Sequence, residues 1–185
     1  MNIKELFFFA RGFWDHPARV GSIIPSSRFL ANQMTKPIAW DRVSTVAELG
    51  SGTGAITQTI REKAKDSTKV ILFEMDKTMR EYLRKQYPKY PCYFNARHLV
   101  EKINHEGIDK LDAIVSGLPF FNFTAEVREA LLEQVVQALK PNGLFITYQY
   151  SLHMKKILAE KLIIEDIKYV PLNIPPAFVY ICRKK

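Results

Sequence analysis

The sequence predicts a doubly wound α/β fold: a mostly parallel sheet covered by helices on both faces, with a terminal antiparallel strand and a helical N-terminal extension. Three observations lead there. From residue 45 onward, short apolar strand-like stretches alternate with helix-like ones, the pattern of a parallel sheet with right-handed crossovers. The run "KVILFEM" (69–75) is apolar almost throughout, as a strand covered on both faces requires. The stretches "LIIEDIKYV" (162–170) and "AFVYICR" (177–183) follow one another with no helix between them, which makes them an antiparallel hairpin.

In chain order, residues 1–42 form the extension and residues 43–185 the α/β domain. Within the extension, residues 2–14 read as a helix. Ile3, Leu6, Phe7, Ala10, Phe13 and Trp14 share a stripe about 120° wide, with Phe8 opposite and Phe9 at its margin. Lys4 and Arg11 flank the stripe. Such a helix either packs on the sheet or lies in a membrane interface, where Phe8 would find a use. A second helix begins near Arg28.

"TVAEL" (45–49) is the first strand, followed by glycines and a helix through about Lys65. After the strand 69–75, a helix from Lys77 carries Met79, Tyr82 and Leu83 at helical spacing, and Pro88 lies beyond its end. "CYFN" (92–95) and "DAIVSG" (112–117) are the third and fourth strands. Thr124 caps a helix with Val127, Leu131, Val135 and Leu139 on one stripe, stopped by "KPNG" (140–143). "LFITYQY" (144–150) is the fifth strand, and one more helix precedes the hairpin.

At 185 residues the chain holds one well-buried domain. Its composition is that of a globular protein. No apolar run reaches the roughly 18 residues that span a bilayer, and no cationic leader with an apolar core opens the chain. A cytoplasmic placement, peripheral on the inner face of the membrane, is expected. The net charge of +8 favours an anionic partner, either nucleic acid or an anionic membrane surface. Cys92 and Cys182 lie in strand-like stretches and read as buried reduced thiols. His16, His98, His105 and His153 have no cysteine or acidic partner at ligand spacing, so no metal is expected.

The chemistry concentrates at strand ends. "AELGSGTGA" (47–55) joins the first strand to the first domain helix. Glycines there let backbone N–H groups approach a ligand at a helix N-terminus. The loop also fits a dinucleotide fingerprint loosely, but Glu48 stands where such loops carry an apolar residue. Glu74 ends the second strand twenty residues after Gly54. A carboxylate there can accept both hydrogen bonds of a ribose diol.

"E-L-G-S-G-T-G" followed by an acid at the end of the second strand resembles the class I S-adenosylmethionine-dependent methyltransferases. That resemblance implies a Rossmann-like, seven-stranded sheet ending in an antiparallel hairpin. It also implies S-adenosyl-L-methionine as cofactor. Its methionine portion falls to Glu48, Gly50, Ser51, Gly52 and Gly54, its ribose to Glu74, and its adenine to Met75, Asn95, Ala96 and Arg97. Members often carry an acid after the third strand, where this chain reads Asn95-Ala96-Arg97.

The fourth strand's end sets the acceptor. Members that methylate base amino groups carry Asn/Asp-Pro-Pro-Tyr or Asn-Leu-Pro-Tyr there, with an amide or acid that accepts from the amine. Here Ser116-Gly117-Leu118-Pro119-Phe120 keeps the Leu-Pro-aromatic part and has serine in place of the amide. On this side the chain resembles the ribosomal RNA adenine dimethyltransferases. A second resemblance, to the soluble bacterial phospholipid N-methyltransferases, runs along nearly the whole chain. It rests on "VGSIIPSSRFLANQM" (20–34), "IVSGLPFFNF" (114–123) and "NIPPAFVY" (173–180), in that order. Where that family tends to read Tyr-Gly-Pro after the fifth strand, this chain has Tyr150-Ser151-Leu152.

These resemblances imply an N-methyltransferase acting on an aminophospholipid or related aminolipid at an anionic membrane surface. Ser116, Gly117 and Leu118 would border the cofactor; Pro119, Phe120 and Phe121 would meet the substrate, with at least one of Phe120, Phe121 and Phe123 packed in the core; Asn122, Tyr148 and Tyr150 would orient its amine. Ser26 and Ser27 either close over the methionine end, bind the lipid phosphate, or cap the helix at Arg28. The alternatives are an RNA adenine N6-methyltransferase, a small-molecule methyltransferase, and a non-catalytic module that binds RNA or protein.

Overall fold

The computed structural model describes residues 27–185. The interfacial helix expected over residues 2–14, Phe8 and Ser26 lie outside them. The elements are α1 (Arg28–Thr35), β1 (Thr45–Leu49), α2 (Ala55–Lys63), β2 (Lys69–Phe73), α3 (Lys77–Gln86), β3 (Cys92–Tyr93) and α4 (Leu99–His105). They continue with β4 (Leu111–Ser116), α5 (Ala125–Ala138), β5 (Leu139–Gln149), α6 (Met154–Lys161), β6 (Leu162–Val170) and β7 (Ala177–Lys184). Two single 3-10 turns, Ala96–His98 and Phe120–Asn122, follow β3 and β4.

The seven strands form one sheet in the order β3-β2-β1-β4-β5-β7-β6. The first five pair in parallel, while β7 runs antiparallel to both β5 and β6. Period-two alternation sends successive strand residues to opposite faces, and each face has its own core. Ala47, Leu49, Ile71, Phe73, Ile114 and Phe145 pack with Leu99 of α4, Leu131 of α5 and Leu158 of α6. Val46, Val70, Leu72, Val115 and Ile146 pack with Met34 of α1, Ile60 of α2 and Leu83 of α3. The helix α1 therefore shares a core with the sheet.

Several details depart from the sequence reading. The helix α5 stops at Ala138, and Leu139 leaves its stripe to pair with Leu111. Pro141 has no N–H to continue the helix and biases Lys140 away from helical torsions. Within β5 the register against β4 then shifts over residues 140–143, with Asn142 left-handed at φ 61°, and parallel pairing resumes at Leu144. On α3 only Leu83 is buried, while Tyr82 faces solvent. The helix α4 has no counterpart in the sequence reading, and β3 shrinks to two residues.

All strand ends that matter for chemistry meet at one edge. Leu49, Phe73, Tyr93, Ser116 and Gln149 end β1, β2, β3, β4 and β5 there, and the β6–β7 turn returns to the same edge. At the opposite edge Asp112 accepts from the backbone N–H groups of Ser44 and Thr45 and pairs with Lys140 at 2.6 Å.

Candidate active site

Three strand ends are laced together by backbone bonds. Gly50 and Ser51 donate their N–H groups to the Phe73 carbonyl at 2.8 and 3.1 Å, and Gly117 donates to Leu49 at 2.8 Å. The closeness excludes side chains. A Cβ on Gly117 would stand 2.8 Å from the Gly50 carbonyl oxygen, and one on Gly50 would stand 2.9 Å from Leu118 Cδ2. Gly50 also has a φ of +75°, which L side chains rarely adopt. The sequence thus builds a wall of bare backbone between β1 and β4.

That wall closes one side of a cavity of about 400 Å³. Its first half is lined by Gly50, Gly52, Glu74, Met75, Asn95, Ala96 and Arg97, all expected around the cofactor. Its second half is lined by Gly117, Leu118, Pro119, Phe121, Asn122, Tyr148 and Tyr150, expected around the reacting centre. The structure brings both sets into one space at the carboxyl edge of the sheet, where doubly wound folds bind ligands.

Glu74 reaches back from β2 into the glycine loop. Its Oε2 accepts from Gly52 N–H at 2.7 Å and its Oε1 from Asp76 N–H at 2.8 Å. Burial holds its carboxyl above the usual range, against the lowering pull of those two N–H groups. Each oxygen keeps a lone pair for a ligand hydroxyl.

The other predicted residues fall elsewhere. Glu48 is fully buried against α2 and accepts from Thr57 Oγ1 at 2.7 Å; it does not line the cavity. Burial pushes its carboxyl up to about 8. Its Oε1 and the neighbouring Ser51 Oγ, also off the cavity, have no partner among the described residues. Gly54 begins α2 in a left-handed conformation beneath Leu83 and Tyr87. Ser27 caps α1, its Oγ accepting from Leu30 N–H at 3.2 Å, and it lies off the cavity. Ser116 is buried, its Oγ accepting from Leu118 N–H at 3.2 Å.

Phe120 corrects the reading of "SGLPFFNF". Its ring is fully buried, edge-on to Phe123 and Phe145, and it belongs to the core beneath the cavity. The 3-10 turn Phe120–Asn122 sends neighbouring side chains in different directions. Phe121 therefore faces the cavity, stacked on His153 with centroids 5.0 Å apart.

The cavity is also lined by Phe73, Phe94, Phe123, Leu131, Gln149, Ser151 and His153, which lie outside the expected site. Phe94 directly precedes the expected adenine contacts, and Arg80 lies over its ring at 5.2 Å. Gln149 follows Tyr148, but no motif marks it. Among the described residues no group of three or more potential metal ligands comes together.

Residues 46–143, more than half of the chain, match the family described as "Methyltransferase domain". The ornithine lipid N-methyltransferase of Singulisphaera acidiphila is 30% identical over 98% of this chain and 97% of its own. The ribosomal RNA small subunit methyltransferase A of Thermotoga petrophila is 27% identical over 62% of this chain and 42% of its own. Among solved structures, the Burkholderia thailandensis 1,6-didemethyltoxoflavin-N1-methyltransferase, with its namesake ligand and S-adenosylhomocysteine bound, superposes with a TM-score of 0.73. It covers 100% of this chain and 91% of that one at 12% identity, a likeness of fold alone.

The cavity fits the family's cofactor. A side-chain-free wall at Gly50 and Gly117 admits close backbone approach, and Glu74 offers two oxygens with spare lone pairs at the end of β2. The chain belongs to the S-adenosylmethionine-dependent methyltransferases.

Proposed function

We propose that the protein methylates the amine of an aminolipid headgroup at a membrane surface. One observation carries this reading: similarity along nearly the whole chain to an enzyme that bears the name ornithine lipid N-methyltransferase. The relative that acts on ribosomal RNA matches a shorter stretch at lower identity. Phe120, the residue at the base-stacking position of the Leu-Pro-aromatic motif, is buried in the core, which weighs against an RNA base as acceptor.

Glu74 and the backbone of Gly50 and Gly52 hold the cofactor in this reading, with Met75, Asn95, Ala96 and Arg97 around its adenine. Bound there, S-adenosylmethionine supplies an electrophilic methyl group on a sulfonium. The chain's own part is to bind, dehydrate and orient the amine. A primary amine titrates near pH 10 in water and reacts through its lone pair. Leu118, Pro119, Phe121 and Phe123 surround it with apolar surface, and desolvation disfavours its charged form. Holding the neutral nitrogen in place then supplies most of the acceleration. Asn122, Tyr148 and Tyr150 line the same space and orient it.

The membrane surface enters as a further part of the proposal. The net charge of +8 suits an anionic leaflet, and residues 2–14 have the pattern of an interfacial helix. Among the described residues no helix is long and apolar enough to cross a membrane.

The test is methyl transfer from radiolabelled S-adenosylmethionine with total bacterial lipid and total RNA offered together, followed by phase extraction. Label in an organic-phase aminolipid is the expected result. Label confined to RNA would replace this reading with the adenine one.

A further inference from the structure

Methyltransferases that act on amino groups of bases place an amide or acid at the end of the fourth strand, where its oxygen accepts from the amine. This chain has Ser116 at that position. Ser116 is fully buried, its hydroxyl is engaged by Leu118 N–H, and it does not line the cavity. The position cannot supply the acceptor.

The neighbouring strand can. Gln149 ends β5, lines the cavity and is almost wholly buried. Its Nε2 donates to the Leu118 carbonyl at 3.1 Å and reaches Thr147 Oγ1 at 3.4 Å. A backbone carbonyl only accepts, so the Leu118 bond settles which end of the amide is nitrogen. The remaining atom, Oε1, can only accept, and among the described residues no group donates to it. The two bonds from Nε2 fix the orientation of the amide and leave Oε1 as the acceptor of a residue that lines the cavity.

We propose that Gln149 supplies from β5 the amide oxygen that the fourth strand lacks, and that it holds the substrate nitrogen by accepting one of its N–H bonds. This rests on the reading that the acceptor is an amine. A neutral primary amine carries two N–H bonds and its monomethyl product one, so either can give one to Gln149 while its lone pair stays free. The neutral dimethylated product, a tertiary amine, has none. The side chain therefore assists the first two methyl transfers and is idle in a third.

The experiment compares the full-length protein with Gln149→Met and Gln149→Glu in the lipid and RNA partition assay, resolving products by methyl number. Calorimetry with S-adenosylhomocysteine runs alongside. Gln149→Met, similar in volume but without an acceptor, is expected to slow transfer to primary and secondary amines by about tenfold or more. Transfer to a supplied tertiary amine and cofactor affinity should stay within about twofold of wild type. Gln149→Glu, which keeps an oxygen and when protonated can still donate to Leu118, should retain more activity relative to wild type, falling as pH rises; it also serves if the methionine variant does not fold. Equal slowing of all transfers, loss matched by weaker cofactor binding, or no loss would each overturn the proposal. Label in RNA alone would overturn the lipid reading, and the two transfers to an adenine amine would then read Gln149 in the same way. Wild-type protein that labels neither phase overturns both.

Discussion

Glu74 and Gly52 are joined across the glycine loop: the Glu74 carboxylate accepts the Gly52 N–H at 2.7 Å while its other oxygen accepts from Asp76 N–H at 2.8 Å. The acid at the end of β2 thus shapes the loop as well as facing the cavity. An amide cannot do both, because its NH2 end would confront one of the two backbone donors.

Replacing Glu74 with Gln is therefore expected to cost about 1–2 kcal/mol of stability and at least about tenfold in cofactor affinity. Thermal melts and calorimetry with S-adenosylhomocysteine measure the two. Burial raises this carboxyl, so the native protein protonates it at pH values where surface acids are still ionised, and the charged acceptor offered to a ligand hydroxyl is lost there. Cofactor affinity should fall early on acidification.

Glu48 gives a pH dependence of the opposite kind. Its folded-state pKa is raised from 4.5 to about 8 by burial. The native state then binds more protons than the unfolded chain between those values, so stability is fully present below pH 4.5 and is lost as pH rises to about 8. Glu48→Gln keeps the shape without the ionisation. Urea melts of the cofactor-free protein should show a decline of about 2–4 kcal/mol between pH 5 and 8 in the wild type and a flatter profile in the variant.

At Gly117 the obstacle is steric. A Cβ there meets the Gly50 carbonyl oxygen at 2.8 Å, and the two glycines directly follow the paired Leu49 and Ser116, held by the Gly117 N–H bond to Leu49. Gly117→Ala must push the ends of β1 and β4 apart. The expected loss is about 1–3 kcal/mol, with cofactor affinity falling further than stability alone accounts for. Calorimetry at a temperature where the variant remains folded separates the two effects. Gly107, whose Cβ would meet nothing within 4 Å but whose φ is +68°, is the control for backbone strain without a clash: Gly107→Ala should lower stability by about 1 kcal/mol and leave cofactor affinity unchanged.

The fold was legible where apolar runs coincide with strands. β1, β2, β6 and β7 lie where their sequences placed them, because each is buried on at least one face or zipped to its neighbour. Missed or shifted elements have identifiable causes. α4 is only seven residues long and buries little more than Leu99 and Ile103, too few for a periodicity. Leu139 continues the stripe of α5 in sequence, yet pairing with Leu111 and the nearby proline decide otherwise. In the site, the glycine loop and Glu74 are marked by local spacing, and Gly50, Gly52 and Glu74 do line the cavity. Gln149 has no such mark, since its role depends on a carbonyl at Leu118 brought beside it by the pairing of β4 with β5.

The three phenylalanines of "SGLPFFNF" divide for a reason that spacing does not reveal: the phase of a single 3-10 turn. Phe120 has no exposed surface and contacts Phe123 and Phe145 edge-on, whereas Phe121 is 54% exposed and stacks on His153 at the cavity. Their substitutions should separate accordingly. Phe120→Ala removes a core ring and is expected to cost about 3–4 kcal/mol, seen as a lowered denaturation midpoint with the slope unchanged. Phe121→Ala should leave stability within about 0.5 kcal/mol and raise the KM for the methyl acceptor severalfold, with cofactor affinity intact. Steady-state kinetics at saturating cofactor distinguish them. An unchanged acceptor KM in the Phe121 variant would place the substrate away from this ring and confine it to the Tyr148 and Gln149 side of the cavity.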